Sequence, residues 1–117
     1  MPTTDATALV VGILADALAV PVSTEVPAQR PQRFVMVSLN GDTSDEFIHR
    51  VRYGLTVWGE SDADAHGLAM SAWHALTDAA QDDDLLSAVG LDSMSRDEWT
   101  ATGSARYLVQ LDLIINT

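Results

Sequence analysis

Between Phe47 and Trp58 a period of two sorts the residues onto two faces. Phe47, His49, Val51, Tyr53, Leu55 and Val57 fall on one; Ile48, Arg50, Arg52, Gly54, Thr56 and Trp58 fall on the other. Successive side chains of a β-strand point to opposite faces, so this pattern predicts a strand. Its length, about twelve residues, is roughly twice the usual five or six, so the strand is expected to reach beyond the core of its own domain. Trp58-Gly59-Glu60 closes it. Ser61-Asp62-Ala63-Asp64 then reads as a helix start, a capping box in which Asp replaces the usual Glu or Gln. Ala65, Leu68, Ala69, Ala72, Trp73, Leu76 and Ala80 make the apolar stripe of that helix, and its alanines allow close approach to a sheet. Acids disfavour a helix C-terminus, so Gln81-Asp82-Asp83-Asp84 is expected to be a solvated loop.

The helical spacing recurs from Thr4 to Ala19, where Ala6, Leu9, Val10, Ile13, Leu14, Ala17 and Leu18 share a face. Thr4 or Asp5 is placed to cap this helix, and Pro21 stops it. Val22–Val26 predicts a short strand confined to an edge by Pro27 and Pro31. Arg33 to Leu39 predicts a strand covered on both faces, followed by a turn at Asn40-Gly41-Asp42. Leu85–Leu91 is poised between a helical turn and the start of a strand. Asp92–Trp99 is weakly strand-like, and Thr100–Ser104 is a turn around Gly103. A final strand runs from Arg106 to Asn116, with Tyr107, Val109, Leu111, Leu113 and Ile115 on one side. This order predicts an α+β fold: a mixed, mainly antiparallel sheet of about four to five strands with two helices packed on one face. The length of 117 residues, without internal repeats, predicts one domain over residues 1–117.

Charge narrows the functional classes. Seventeen acids against six arginines, with no lysine, give −11 at neutral pH, which opposes a general affinity for nucleic-acid phosphates. Four of the six arginines lie between Arg30 and Arg52, which leaves room for a local basic stripe there. Arg50 and Arg52, on one face of the long strand, either pair with carboxylates of this chain or a partner or are two solvated strand residues. The absence of cysteine removes disulfides, thiolate metal sites and cysteine nucleophiles. Met1-Pro2-Thr3-Thr4-Asp5 places an acid where a secretion signal carries bases, and the apolar runs are too short to span a bilayer, so no targeting or membrane segment is expected.

Chemistry-bearing residues are sparse. His49 lies on the apolar face of the long strand, as a core or interface histidine does. His66 and His74 are eight apart, not the four that a helical zinc pair needs. Asp62, Asp64 and His66 are the nearest approach to a divalent site, but helix capping accounts for the acids. Asp82-Asp83-Asp84 lacks the spacing of a calcium loop. No phosphate-binding glycine loop or nucleophile elbow occurs. No catalytic residue, metal or cofactor is expected.

Three stretches carry a resemblance. They are Val26-Pro27 with Pro31-Gln32-Arg33-Phe34-Val35-Met36-Val37; Leu55-Thr56-Val57-Trp58-Gly59-Glu60-Ser61 with Ala65, Leu68 and Ala69; and Thr102-Gly103-Ser104-Ala105-Arg106-Tyr107 leading into Leu108-Val109-Gln110-Leu111. In order and spacing the chain resembles, over nearly its whole length, the small tail terminator proteins of long-tailed, non-contractile (siphovirus-type) bacteriophages, particularly those of actinobacterial hosts. Ala105 departs from the pattern, where a proline before the Arg-aromatic pair is common. The resemblance implies a non-enzymatic virion protein, assembled in the host cytoplasm as a homo-oligomeric ring, a hexamer in the family. Such a ring caps the head-proximal end of the tail tube, ends its polymerisation and offers a surface to the head or neck. The implied partners are other copies of the chain, the major tail tube protein and a head–tail connector or neck protein. No membrane and no sequence-specific nucleic acid is implied, although DNA passes through the ring lumen. The expected subunit or tube contacts are Arg33, Arg50, Arg52, Trp58 and Arg106, with acids facing the lumen to repel DNA. Other readings are a second kind of neck or tail-completion adaptor, a small metal-dependent enzyme using His66 with Asp62 or Asp64, and a ligand-binding domain with a deep apolar pocket.

Overall fold

The computed structural model describes residues 6–29, 31–43, 45, 48–82, 86–96 and 105–115, and in it the alternating run lies at the middle of a five-stranded sheet. Along the chain the elements are α1 (Ala6–Ala17), β1 (Val22–Ser23), β2 (Phe34–Asp42), β3 (His49–Gly59), α2 (Asp62–Asp82), β4 (Leu86–Arg96) and β5 (Ala105–Ile115). Across the sheet the order is β1-β2-β3-β5-β4. β1 pairs parallel to β2, and every other neighbour pair is antiparallel. This is the expected α+β architecture, with β5 inserted between β3 and β4.

The register explains the core. Val35 and Val37 of β2, Val51, Tyr53, Leu55 and Val57 of β3, and Val109, Leu111, Leu113 and Ile115 of β5 face the same side. They form one buried cluster with Ala6, Val10 and Leu14 of α1, Leu18 just beyond it, and Leu68, Ala69, Ala72 and Leu76 of α2. Both helices therefore lie on one face, where the alternation of β3 and β5 required a cover. Each large apolar side chain in this cluster contributes roughly 1.5–3 kcal/mol by leaving water. Tyr53 is fully buried, and its hydroxyl shares a 2.8 Å hydrogen bond with Thr7 Oγ1, which ties α1 to the centre of the sheet.

The helix start at Ser61 forms as its sequence requires. Ser61 Oγ accepts from the Asp64 amide at 3.0 Å, while Asp64 Oδ2 accepts from the Glu60 amide at 2.9 Å. The reciprocal half of the box reaches one residue further back than the usual N-cap amide. Glycine at position 59 lets α2 approach the end of β3 closely: a Cβ built there would stand 2.4 Å from the Ala65 amide nitrogen.

Several sequence expectations are revised. α1 ends at Ala17 rather than Ala19, and Ala17 is exposed although Leu18 is buried. Thr4 and Asp5 lie outside the described residues, as do Phe47, Asp83, Asp84 and the expected turn at Thr100–Ser104. α2 continues through Gln81 to Asp82, so these are helical rather than loop. Asn40-Gly41-Asp42 is not a turn. β2 runs through it with a bulge between Leu39 and Gly41, the alternative role of a glycine within a strand. The chain reverses later, where the Asp45 amide donates to the Ile48 carbonyl and Asp45 Oδ1 accepts from the Ile48 amide. Finally, the region from Leu86 to Arg96 is one strand with two register shifts, Leu86/Ala88 and Leu91/Ser93, which break its alternation.

Candidate functional site

Among the described residues no helix packs on the second face of the sheet, and that face holds four of the five expected contact residues. Arg50, Arg52 and Trp58 project there from β3; Arg106 lies opposite Trp58 and Asp112 opposite Arg52 on β5. The strand separates them into two groups. From Arg52 to Trp58 is about 20 Å at roughly 3.3 Å per residue.

At the first end, Arg52 Nε donates to Asp112 Oδ1 at 2.8 Å, both side chains being about half exposed at 55% and 52%. This hydrogen bond, then the charges of Asp112 and Asp92, hold the Arg52 guanidinium above the usual arginine pKa. An exposed pair of this kind adds little to stability. Arg50 is exposed beside it and lines an open cleft of about 300 Å³ with Asn40, Gly41, Thr43, Arg52 and Asp112. The wall of the cleft depends on a glycine. Asn40, the bulge residue, crosses β3 above Gly54 to donate from Nδ2 to Gln110 Oε1 at 3.2 Å. A Cβ on Gly54 would meet that nitrogen at 2.5 Å.

At the other end Trp58 is 5% exposed. Its ring packs on Phe34 at 5.6 Å between centroids, and the Arg106 guanidinium lies 5.7 Å over it, within cation–π range. Trp58 and Arg106 therefore engage each other within the chain. Arg33 lies at this same end, one residue before Phe34, its Nε 3.1 Å from Asp64 Oδ2, where it joins the β2 start to the α2 cap. The exposed part of the expected contact set is the Arg50–Arg52 end.

The residues considered for a metal are engaged elsewhere. Asp62 pairs with Arg96 at 3.2 Å, Asp64 caps α2, and the His66 ring packs on Tyr107 at 5.3 Å. His49 Nε2 lies 3.4 Å from Asp42 Oδ2. Among the described residues, no three of His, Cys, Asp and Glu gather as a metal site would require.

The sheet edges add a feature that the sequence did not single out. Leu39, Tyr53, Leu111 and Leu91 form one row across β2, β3, β5 and β4 on the helix side. Its two middle residues are completely buried, whereas Leu39 is 52% and Leu91 40% exposed. The helices cover the centre of the row and leave both ends open. Leu39 ends the run expected to be covered on both faces, yet it is exposed, and only the strand order shows that it and Leu91 lie at opposite edges.

No protein-family model matches the chain, and no curated protein does. Among solved structures, the fold is shared with a chain described as "Virion of native gene transfer agent (GTA) particle", with a TM-score of 0.63 over 94% of this chain and 86% of that one, at 13% identity. At that identity the likeness is one of fold.

Proposed function

We propose that this chain is a structural protein of a bacteriophage virion, the tail terminator: a ring that caps the head-proximal end of the tail tube, ends its growth and presents a surface for head attachment. The observation that carries this reading is the fold shared over 94% of the chain with a protein of a gene transfer agent virion. The three sequence stretches that resemble tail terminators supply the finer assignment, and they fall on the β2 start, the β3–α2 junction and the β5 start. These segments carry Arg33, Trp58 and Arg106, whose contacts join β2, β3, β5 and the start of α2 at the Trp58 end of the sheet. The Arg52 end, with Arg50 exposed, is left to face a partner. In this reading the chain performs no catalysis and works by presenting surfaces to its own copies, to the tube protein and to the neck.

A terminator and a neck adaptor differ in what their loss does to the tail. Deletion of the gene from its phage is expected to yield tubes of uneven and excessive length without heads, seen by negative-stain electron microscopy. Tails of normal, uniform length that fail to join heads would assign the chain to the neck instead.

A further inference from the structure

We propose that copies of this chain join head to tail by sheet extension, the outer edge of β4 in one copy pairing antiparallel with the open part of β2 in the next, so that Leu91 packs against Leu39. This deepens the ring reading above by naming the surfaces that close the ring. It stands on three observations.

The first is that both edges of the sheet are open. Among the described residues no strand lies outside β4, which is eleven residues long. On the opposite side β1 pairs with β2 at Val35 and Met36, and among the described residues no strand covers β2 from Val37 onward. An open edge presents unpaired amide and carbonyl groups, which bind a further strand readily. The second observation is the apolar row. Leu39 and Leu91 are its exposed ends, one on each open edge and both on the helix side. A neighbouring β2 laid beside β4 brings the two leucines together and continues the row into the next subunit. Two different surfaces meet in such a contact, which is the heterologous kind that closes into rings.

Direction and register are the third. Three antiparallel steps separate β2 from β4, so these strands run in opposite directions. A rotation about an axis near the strand direction preserves this, and the new pair is antiparallel. The segments also match in regularity. Ala88–Leu91 lies between the two register shifts of β4, and Val37–Leu39 ends at the bulge of β2. Each offers a short regular run that terminates where its edge bends.

The chain has no cysteine, so the contact is testable by cross-linking the full-length protein. Within one subunit the two positions are three strand spacings apart, about 14 Å at roughly 4.8 Å each. That exceeds the ~7 Å limit between Cα atoms for a disulfide, so any bond links two copies. The Leu39→Cys/Leu91→Cys double variant, treated with diamide, is expected to give a ladder of covalent oligomers on a non-reducing gel, while each single variant stays unlinked. A dimer from Leu91→Cys alone would overturn the proposal in favour of a two-fold β4 contact. Rings by native mass spectrometry without a ladder would overturn the edge pairing and leave the ring reading standing. A chain that is both unlinked and monomeric at high concentration would count against both.

Discussion

Gly59→Ala is expected to cost more stability than the same change at Gly12, Gly41, Gly54, Gly67 or Gly90. The reason is the kind of atom that a new methyl meets. At Gly59 the added Cβ stands 2.4 Å from the Ala65 amide nitrogen and 2.7 Å from its Cα, both backbone atoms of the first turn of α2. Backbone cannot rotate aside, so α2 must lift from the end of β3 and loosen the packing of Ala65, Leu68 and Ala69. Overpacking of this sort costs typically about 1–3 kcal/mol and occasionally more, and a site closed by backbone belongs at the upper end. At Gly54 the obstructing atom is the Asn40 side-chain amide, which can swing away at the expense of its bond to Gln110. At Gly12 and Gly67, within helices, nothing lies within 4 Å of the new methyl. There alanine is expected to stabilise by roughly 0.5–1 kcal/mol, because glycine is the poorer helix former. Equilibrium urea denaturation of the variants checks both signs. An unchanged midpoint for Gly59→Ala would show that α2 does not sit this close to β3.

Leu111→Ala is expected to lose about 2–5 kcal/mol, the range for truncating a buried leucine. Leu111 is fully buried at the centre of β5, between Tyr53 and Leu91 in the cross-sheet row. Helices lie above it, so the vacancy closes poorly. Domains of this size are stable by only about 5–15 kcal/mol, and the loss is a large share of that. Leu39→Ala and Leu91→Ala, at the ends of the same row, are expected to leave the stability of the single chain within about 0.5 kcal/mol, as most surface changes do. In the proposed ring their effect belongs to assembly, where truncation would remove the apolar contact between copies. Chemical denaturation of the dilute chain and native mass spectrometry of the concentrated chain separate the two roles.

The contrast within that row also shows what could be read from residues alone. The alternation of β3 and β5 made both strands and their buried faces legible, because a sheet with one covered face needs period two. The cap at Ser61 and the alanine stripe made α2 legible in the same way. Asn40-Gly41 misled because the same pair that starts a hairpin also suits a bulge, and only the partner strand decides between them. β4 was split because its two register shifts move the apolar positions off a fixed period. For the candidate site, the shared face of Arg50 and Arg52 followed from their spacing. The insertion of β5 between β3 and β4 did not, since pairing across such distances is set by tertiary packing. It places Arg106 over Trp58 and Asp112 beside Arg52, and so decides which arginines remain available to a partner.

That availability matters in a chain carrying −11, because in the proposed ring acids on neighbouring copies would repel unless arginines lay between them. Arg50 and Arg52 stand at the end of the sheet where Asn40 and Gly41 also open the cleft. In the proposed ring this end can take carboxylates from a tube or neck protein while the β2 and β4 edges hold the subunits together. The measurement that tests the virion assignment most directly is a cryo-electron microscopy map of the phage particle proposed to contain the chain. The expected result is a ring of copies seated on the head-proximal end of the tail tube, with density for this fold in each subunit. Particles that lack the chain, or carry it away from that end of the tube, would contradict the assignment.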